Sequence, residues 1–154
     1  MNVFVPYANP LETAKCLDRL RLNKQVIECS QILNAIDGTG KGWVNHPVTK
    51  MYKPYRQWLY RYMQCLECYI RYIKAKDGCS KDSYLIQSVL WGEKADKIRP
   101  FFLTNDFCDQ HKRRLFTKNP EHYKQFEEYG TSDENWYFDN DKNIIIKYIN
   151  GKRI

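Results

Sequence analysis

At 154 residues, 43% of them hydrophobic and 15% aromatic, the chain is long enough to bury one ordinary core, which excludes a disordered polymer. Its net charge of +7 lies wholly in residues 1–100, which hold 16 Lys/Arg against 9 Asp/Glu; residues 101–154 balance at 9 against 9. That surplus favours an anionic partner, nucleic acid first and an anionic membrane second. No run approaches the roughly 18 consecutive apolar residues of a membrane span. The opening Met-Asn-Val-Phe-Val-Pro-Tyr lacks the layout of a signal peptide, so a cytoplasmic location is expected. Twelve tyrosines and four tryptophans exceed the needs of a core this size, so some should sit partly exposed. Six cysteines include a Cys65-x-x-Cys68 pair, but it stands in a helical run with no second pair nearby. Reduced, mostly buried thiols are expected, with no metal and no cofactor.

In chain order, Val3-Phe4-Val5 is a short apolar segment stopped by Pro6. Asn9-Pro10 reads as a helix start, with Asn as cap and Pro in the first turn. Helical periodicity then runs from about Leu11 to Ile36, with a break near Arg19–Leu22, and ends in the glycine-rich loop Asp37–Gly42. This loop lacks the Gly-Lys-Ser/Thr ending of a phosphate loop. Asn45-His46-Pro47 starts a short helix to about Tyr52, and Pro54 restarts helix to about Lys76. On that long helix Tyr55, Leu59, Tyr62, Leu66, Tyr69, Ile70 and Ile73 form one inward stripe. Further helices are expected over Lys81–Ile98, from Asn105 or Asp106 to about Phe116, and briefly from Asn119-Pro120. Beyond Gly130, Trp136-Tyr137-Phe138 and Ile144–Ile149 flank a turn-rich link, the pattern of a β-hairpin. The fold class is therefore all-α: a compact helical body over 1–130, with a C-terminal hairpin at 131–154 packed on it.

Three polar clusters carry candidate chemistry. Arg21, Lys24, Gln25 and Glu28 fall within about a 100° arc of one helix, apart from the inward face of Leu22, Val26, Cys29, Leu33 and Ile36. Such a strip is either a solvated salt-bridge surface or the floor of a site for an anion. His46 stands at a helix N-terminus, where N–H groups and partial positive charge favour phosphate; its bland alternative is a capping or packing role. His111-Lys112-Arg113-Arg114 with Lys118, His122 and Tyr123 is locally basic, and a run of this kind is commonly a solvated helix face. No Ser-His-Asp grouping or metal-spaced histidine pair is present.

Together, Cys-Leu-Asp-Arg-x-Arg-Leu-x-Lys-Gln at 16–25, Asn-His-Pro-x-x-x-Met-Tyr at 45–52 and His-x-x-x-Leu-x-x-Lys-x-Pro-x-x-Tyr at 111–123 resemble one family. It is the pyrimidine dimer DNA glycosylases, typified by phage endonuclease V, and in particular a little-characterised bacterial and viral branch. Order and approximate spacing agree over residues 1–126. The resemblance implies a compact all-α domain that binds damaged double-stranded DNA in a basic groove and needs no cofactor. It also implies a nucleophilic N-terminal amine, a glutamate that stabilises positive charge on the sugar and moves protons, and strand cleavage by β-elimination. An α-amine suits this role because its ordinary pKa of about 7.7–8 leaves a neutral fraction at pH 7.

Carried onto this chain, the resemblance assigns Met1 and Glu28 as catalytic. It assigns Arg21, Lys24, Gln25, His46, His111, Arg114, Lys118 and Tyr123 to substrate and phosphate. Two departures stand out. Asn at position 2 does not favour removal of the initiator Met, so the available amine is that of Met1 rather than of a following Thr. An ungapped register through Lys24-Gln25 also puts Ile27 where the family's glutamate belongs, with Glu28 about 100° further around the helix. Two other readings follow from the same residues. One is a DNA-binding module on the same scaffold with the chemistry lost or altered. The other is a glycosidic-bond enzyme or binder that takes a nucleotide.

Overall fold

A computed structural model describes residues 1–154. Six α-helices form the body: α1 (Pro10–Cys16), α2 (Arg19–Asp37), α3 (Pro47–Tyr52), α4 (Arg56–Lys74), α5 (Cys79–Asp96) and α6 (Asn105–Lys118). A 3₁₀ turn at Lys53–Tyr55 links α3 to α4, and another covers Lys124–Tyr129. Three strands follow, β1 (Asn135–Asp139), β2 (Ile144–Ile149) and β3 (Lys152–Arg153), in one antiparallel sheet ordered β1-β2-β3. The all-α body with a small C-terminal β element is thus the architecture, with β3 extending the expected hairpin. No helix is long and apolar enough to cross a membrane.

The helix boundaries follow local chemistry. Asn9 Oδ1 accepts the N–H groups of Leu11 and Glu12 at 2.9 and 3.2 Å, which satisfies two donors that α1 would otherwise leave bare. The break between α1 and α2 falls at Leu17-Asp18, whose backbones are extended, two residues earlier than periodicity alone suggests. Gly38 ends α2 at φ +76°, the left-handed conformation that favours glycine. Thr104, rather than Asn105 or Asp106, caps α6. The expected helix from Asn119 is instead a turn leading into the 3₁₀ segment 124–129.

α4 runs through the middle and packs on α1, α2 and α5. Its Trp58 stacks between Tyr52 and Tyr62, with centroids 5.6 and 5.1 Å apart. β1 seals against this body through Phe138, whose ring meets Phe101 edge-on at 5.0 Å and stacks on Phe102 at 5.4 Å.

The segment Val3–Val5 is buried, but it forms no helix and joins no sheet. Its backbone is satisfied by side chains instead. Gln25 Oε1 accepts the Phe4 N–H at 2.8 Å, His111 Nδ1 accepts the Val5 N–H at 2.7 Å, and the Tyr62 hydroxyl donates to the Phe4 carbonyl at 2.7 Å. An unpaired buried backbone group costs about 1–3 kcal/mol, so these three side chains fix where the start of the chain lies.

Candidate active site

α2 presents Arg21, Lys24, Gln25 and Glu28 at helical spacings of three and four, on one face. α6 presents Arg114 and Lys118, one turn apart, towards the same place. With Met1, Asn2 and Phe4 from the threaded first segment and Asn135 from β1, these residues line one concave site of about 120 Å³. Four cationic side chains therefore surround a single carboxylate, beside the amino-terminal residue.

Glu28 is held rather than free. Gln25 Nε2 donates to its Oε2 at 3.2 Å, and Lys24 Nζ lies 4.0 Å from its Oε1. The Glu28 side chain is only 12% exposed, whereas that of Lys24 is 64% exposed, so the lysine reaches outward from the rim. Ile27, at the position where an ungapped family register would put the glutamate, is 58% exposed and does not line the site. The carboxylate in the cavity belongs to residue 28.

Gln25 is a positioning residue: its amide donates to the Asn2 carbonyl at 3.0 Å and accepts from Phe4, so it ties the first residues to α2. The Met1 carbonyl accepts a hydrogen bond from the Tyr137 hydroxyl at 3.3 Å, and Asn2 Nδ2 donates to Asn135 Oδ1 at 3.5 Å. The strand after the helical body thereby takes part in the site. Asn2, Phe4, Asn135 and Tyr137 are members that sequence reading did not find. For Phe4 the signal was the apolar Val3–Val5 segment, and for Asn135 and Tyr137 it was the turn-bounded aromatic run beyond Gly130, which has no counterpart in the motifs.

The electrostatics are those of a site short of negative charge. Burial lowers the Lys118 pKa, and the nearby Arg114, Arg21 and Lys24 charges lower it further, with Glu28 opposing them. Burial likewise lowers that of Arg114, with Asp133 and Tyr137 opposing and Arg21 adding to the effect. The Nε atoms of Arg21 and Arg114 are buried without a hydrogen-bond partner, although Asp18 Oδ1 stands 3.8 Å from Arg21 Nε. Buried guanidinium donors are rarely left unsatisfied, so both arginines keep unspent hydrogen-bonding capacity beside the site.

His46 stands at the border of this site. Burial, and then the positive charge of the N-terminal amine, lower its pKa, and its ring meets Tyr137 edge-on at 5.6 Å. The start of α3 nevertheless offers no N–H to a phosphate. Pro47 has none, His46 Nδ1 accepts that of Val48 at 3.1 Å, and the His46 carbonyl accepts those of Thr49 and Lys50. The anion-binding helix end expected there is consumed by its own cap.

Two further expectations are corrected. His111 is buried on the inner face of α6, against Phe4 and Phe107 at 5.9 and 4.9 Å, with its Nδ1 spent on Val5. Burial drives its pKa down to about 4, so it is neutral and holds no phosphate. Tyr123 is wholly buried; its hydroxyl accepts the Asp18 N–H at 2.9 Å and donates to the Asp18 carboxylate. It braces the α1–α2 corner, and through Asp18 it steadies Arg21.

Comparison with curated proteins and with solved structures found no match. Residues 1–69, from the first segment through most of α4, match the family model described as pyrimidine dimer DNA glycosylase; the α6 cations and β1 lie beyond the matched stretch. Over these 69 of its 154 residues the chain is similar to the pyrimidine dimer DNA glycosylases, a family whose description names DNA as what its members act on.

Proposed function

We propose that the protein is a DNA glycosylase with abasic-site lyase activity on pyrimidine lesions or modified bases in double-stranded DNA. The observation that carries this reading is the single carboxylate, Glu28, enclosed with Met1 among Arg21, Lys24, Arg114 and Lys118. The neutral Met1 amine attacks C1′ of the damaged nucleotide; the N–C1′ bond forms as the glycosidic bond breaks, and the base leaves with the bonding pair and takes up a proton. Glu28 stabilises the positive charge that develops on the sugar and moves protons as the adduct becomes an imine. Loss of a C2′ proton then expels the 3′ phosphate. Arg21, Lys24, Arg114 and Lys118 hold the flanking phosphates, with His46 at the edge.

The size of the cavity argues against the nucleotide reading. At about 120 Å³ it is well below the roughly 300–1,000 Å³ of sites that enclose a small molecule. A sugar–phosphate backbone presented from outside suits it better than an engulfed nucleotide.

Borohydride trapping on an abasic duplex and on an ultraviolet-irradiated duplex tests the proposal. A covalent protein–DNA adduct that runs with the chain on a denaturing gel is the expected result. Intact strands with no adduct on either substrate would sink it.

A further inference from the structure

The loop between α2 and α3 ends in two exposed apolar residues that pack in no core, Trp43 at 45% and Val44 at 49% exposure. Trp43 is the more unusual, because its φ is +66°, a left-handed conformation that bulky side chains rarely adopt. A turn closed by the His46 N–H donating to the Trp43 carbonyl at 3.1 Å holds it there. Gly42 precedes it with open space around its α-carbon.

Trp43 is also placed beside the candidate active site. Its ring meets His46 edge-on at 5.2 Å, His46 meets Tyr137 at 5.6 Å, and the Tyr137 hydroxyl is bonded to the Met1 carbonyl. A large aromatic face is thereby presented to solvent at one side of a cationic pocket. The aromatic ring supplies the stacking surface, and the cations next to it supply the attraction for a phosphate backbone.

We propose that Trp43 is a stacking residue that fills or caps the gap left in the base stack when a nucleotide is drawn towards the pocket. This rests on the reading of the site as a DNA glycosylase. Extruding a nucleotide leaves its neighbours without a stacking partner, and an inserted or abutting aromatic side chain replaces the lost contact. Val44 beside it widens the apolar tip. The role is one of positioning: Trp43 touches neighbouring bases, not the reacting sugar.

The test uses the full chain, an abasic-site duplex and an undamaged duplex of the same sequence, with Trp43→Ala and Trp43→Phe variants. Trp43→Ala should bind the abasic duplex about tenfold more weakly, in line with the loss of one aromatic–base stack, while undamaged-duplex binding and thermal stability hold. Trp43→Phe should keep most of the affinity but lose the part of the DNA-induced tryptophan fluorescence quenching that residue 43 supplies. Wild-type affinity in Trp43→Ala, or quenching undiminished in Trp43→Phe, overturns the stacking role. The two failures are separable. A wild-type chain that gives no borohydride adduct and no preference for the abasic duplex overturns the glycosylase reading and this role with it. A chain that gives both, with Trp43→Ala indistinguishable from it, overturns this role alone.

Discussion

Gln25 joins Glu28 to the first residues of the chain: one side-chain amide donates to the Glu28 carboxylate at 3.2 Å and to the Asn2 carbonyl at 3.0 Å, and accepts the Phe4 N–H at 2.8 Å. The distance between the amino-terminal residue and the carboxylate is therefore set by a buried side chain one turn away on α2. Replacing Gln25 by Leu leaves the Phe4 N–H and the Asn2 carbonyl without partners. A loss of about 2–4 kcal/mol in folding stability is expected from two such orphaned groups, measured by chemical denaturation. Adduct yield should also fall at temperatures where the variant is still fully folded.

Glu28→Gln keeps the shape of the site and removes its only negative charge. Turnover on a lesion duplex should drop about 10²–10⁴-fold, the usual contribution of a positioned acid–base group. Binding to the same duplex should hold or tighten. A variant that turns over normally would move the chemistry elsewhere and restore the reading of the chain as a binding module.

Adding Gly-Ser ahead of Met1 moves the amine two residues away without touching any cation. Borohydride trapping should disappear while the affinity for an abasic duplex stays close to that of the unextended chain, as followed by fluorescence anisotropy. Equal loss of both would mean that the extension blocks DNA entry rather than displacing a nucleophile.

Lys118→Ala removes one of the four pocket cations. A plot of log affinity against log salt should lose about one unit of slope, and binding should weaken alike on damaged and undamaged duplex. An unchanged slope would place the DNA backbone on another face.

His111 makes acid stability a further readout. Burial lowers its folded-state pKa from 6.5 to about 4, so between those values the unfolded chain binds more protons than the folded one. The contribution is fully present above pH 6.5 and is lost as pH falls towards 4, amounting to about 2 kcal/mol by pH 5. His111→Asn keeps an acceptor for the Val5 N–H but does not titrate. Denaturation midpoints at pH 7.5 and pH 5 should therefore differ less in the variant than in the wild type, even though lost packing lowers both.

The helices are legible in the sequence because caps and periodicity are local: Asn9-Pro10, His46-Pro47 and Gly38 mark ends without reference to anything distant. The α2 strip is legible for the same reason. The role of Val3–Val5 is not, because its partners Gln25 and His111 lie 21 and 106 residues away. His111 was open to a better reading, since Phe107, Cys108, His111 and Leu115 recur at helical spacing and mark the inner face of α6, although Arg114 and Lys118 fall at the edge of and within the same arc, so periodicity alone does not separate the buried His from the pocket cations. The adjacent Lys112-Arg113-Arg114 masks that pattern when charge is read by sequence proximity. Asn135 and Tyr137 were illegible because only tertiary packing carries β1 back to Met1.

That return of β1 has a consequence for when the protein becomes competent. The residue with the amine and the α2 strip are the first parts of the pocket to leave the ribosome; Arg114, Lys118, Asn135 and Tyr137 are the last. A nascent chain stalled before β1 carries the amine without the walls that hold it. On the proposed reading, the positioned amine that the reaction needs exists only once β1 has been made and has packed against Met1.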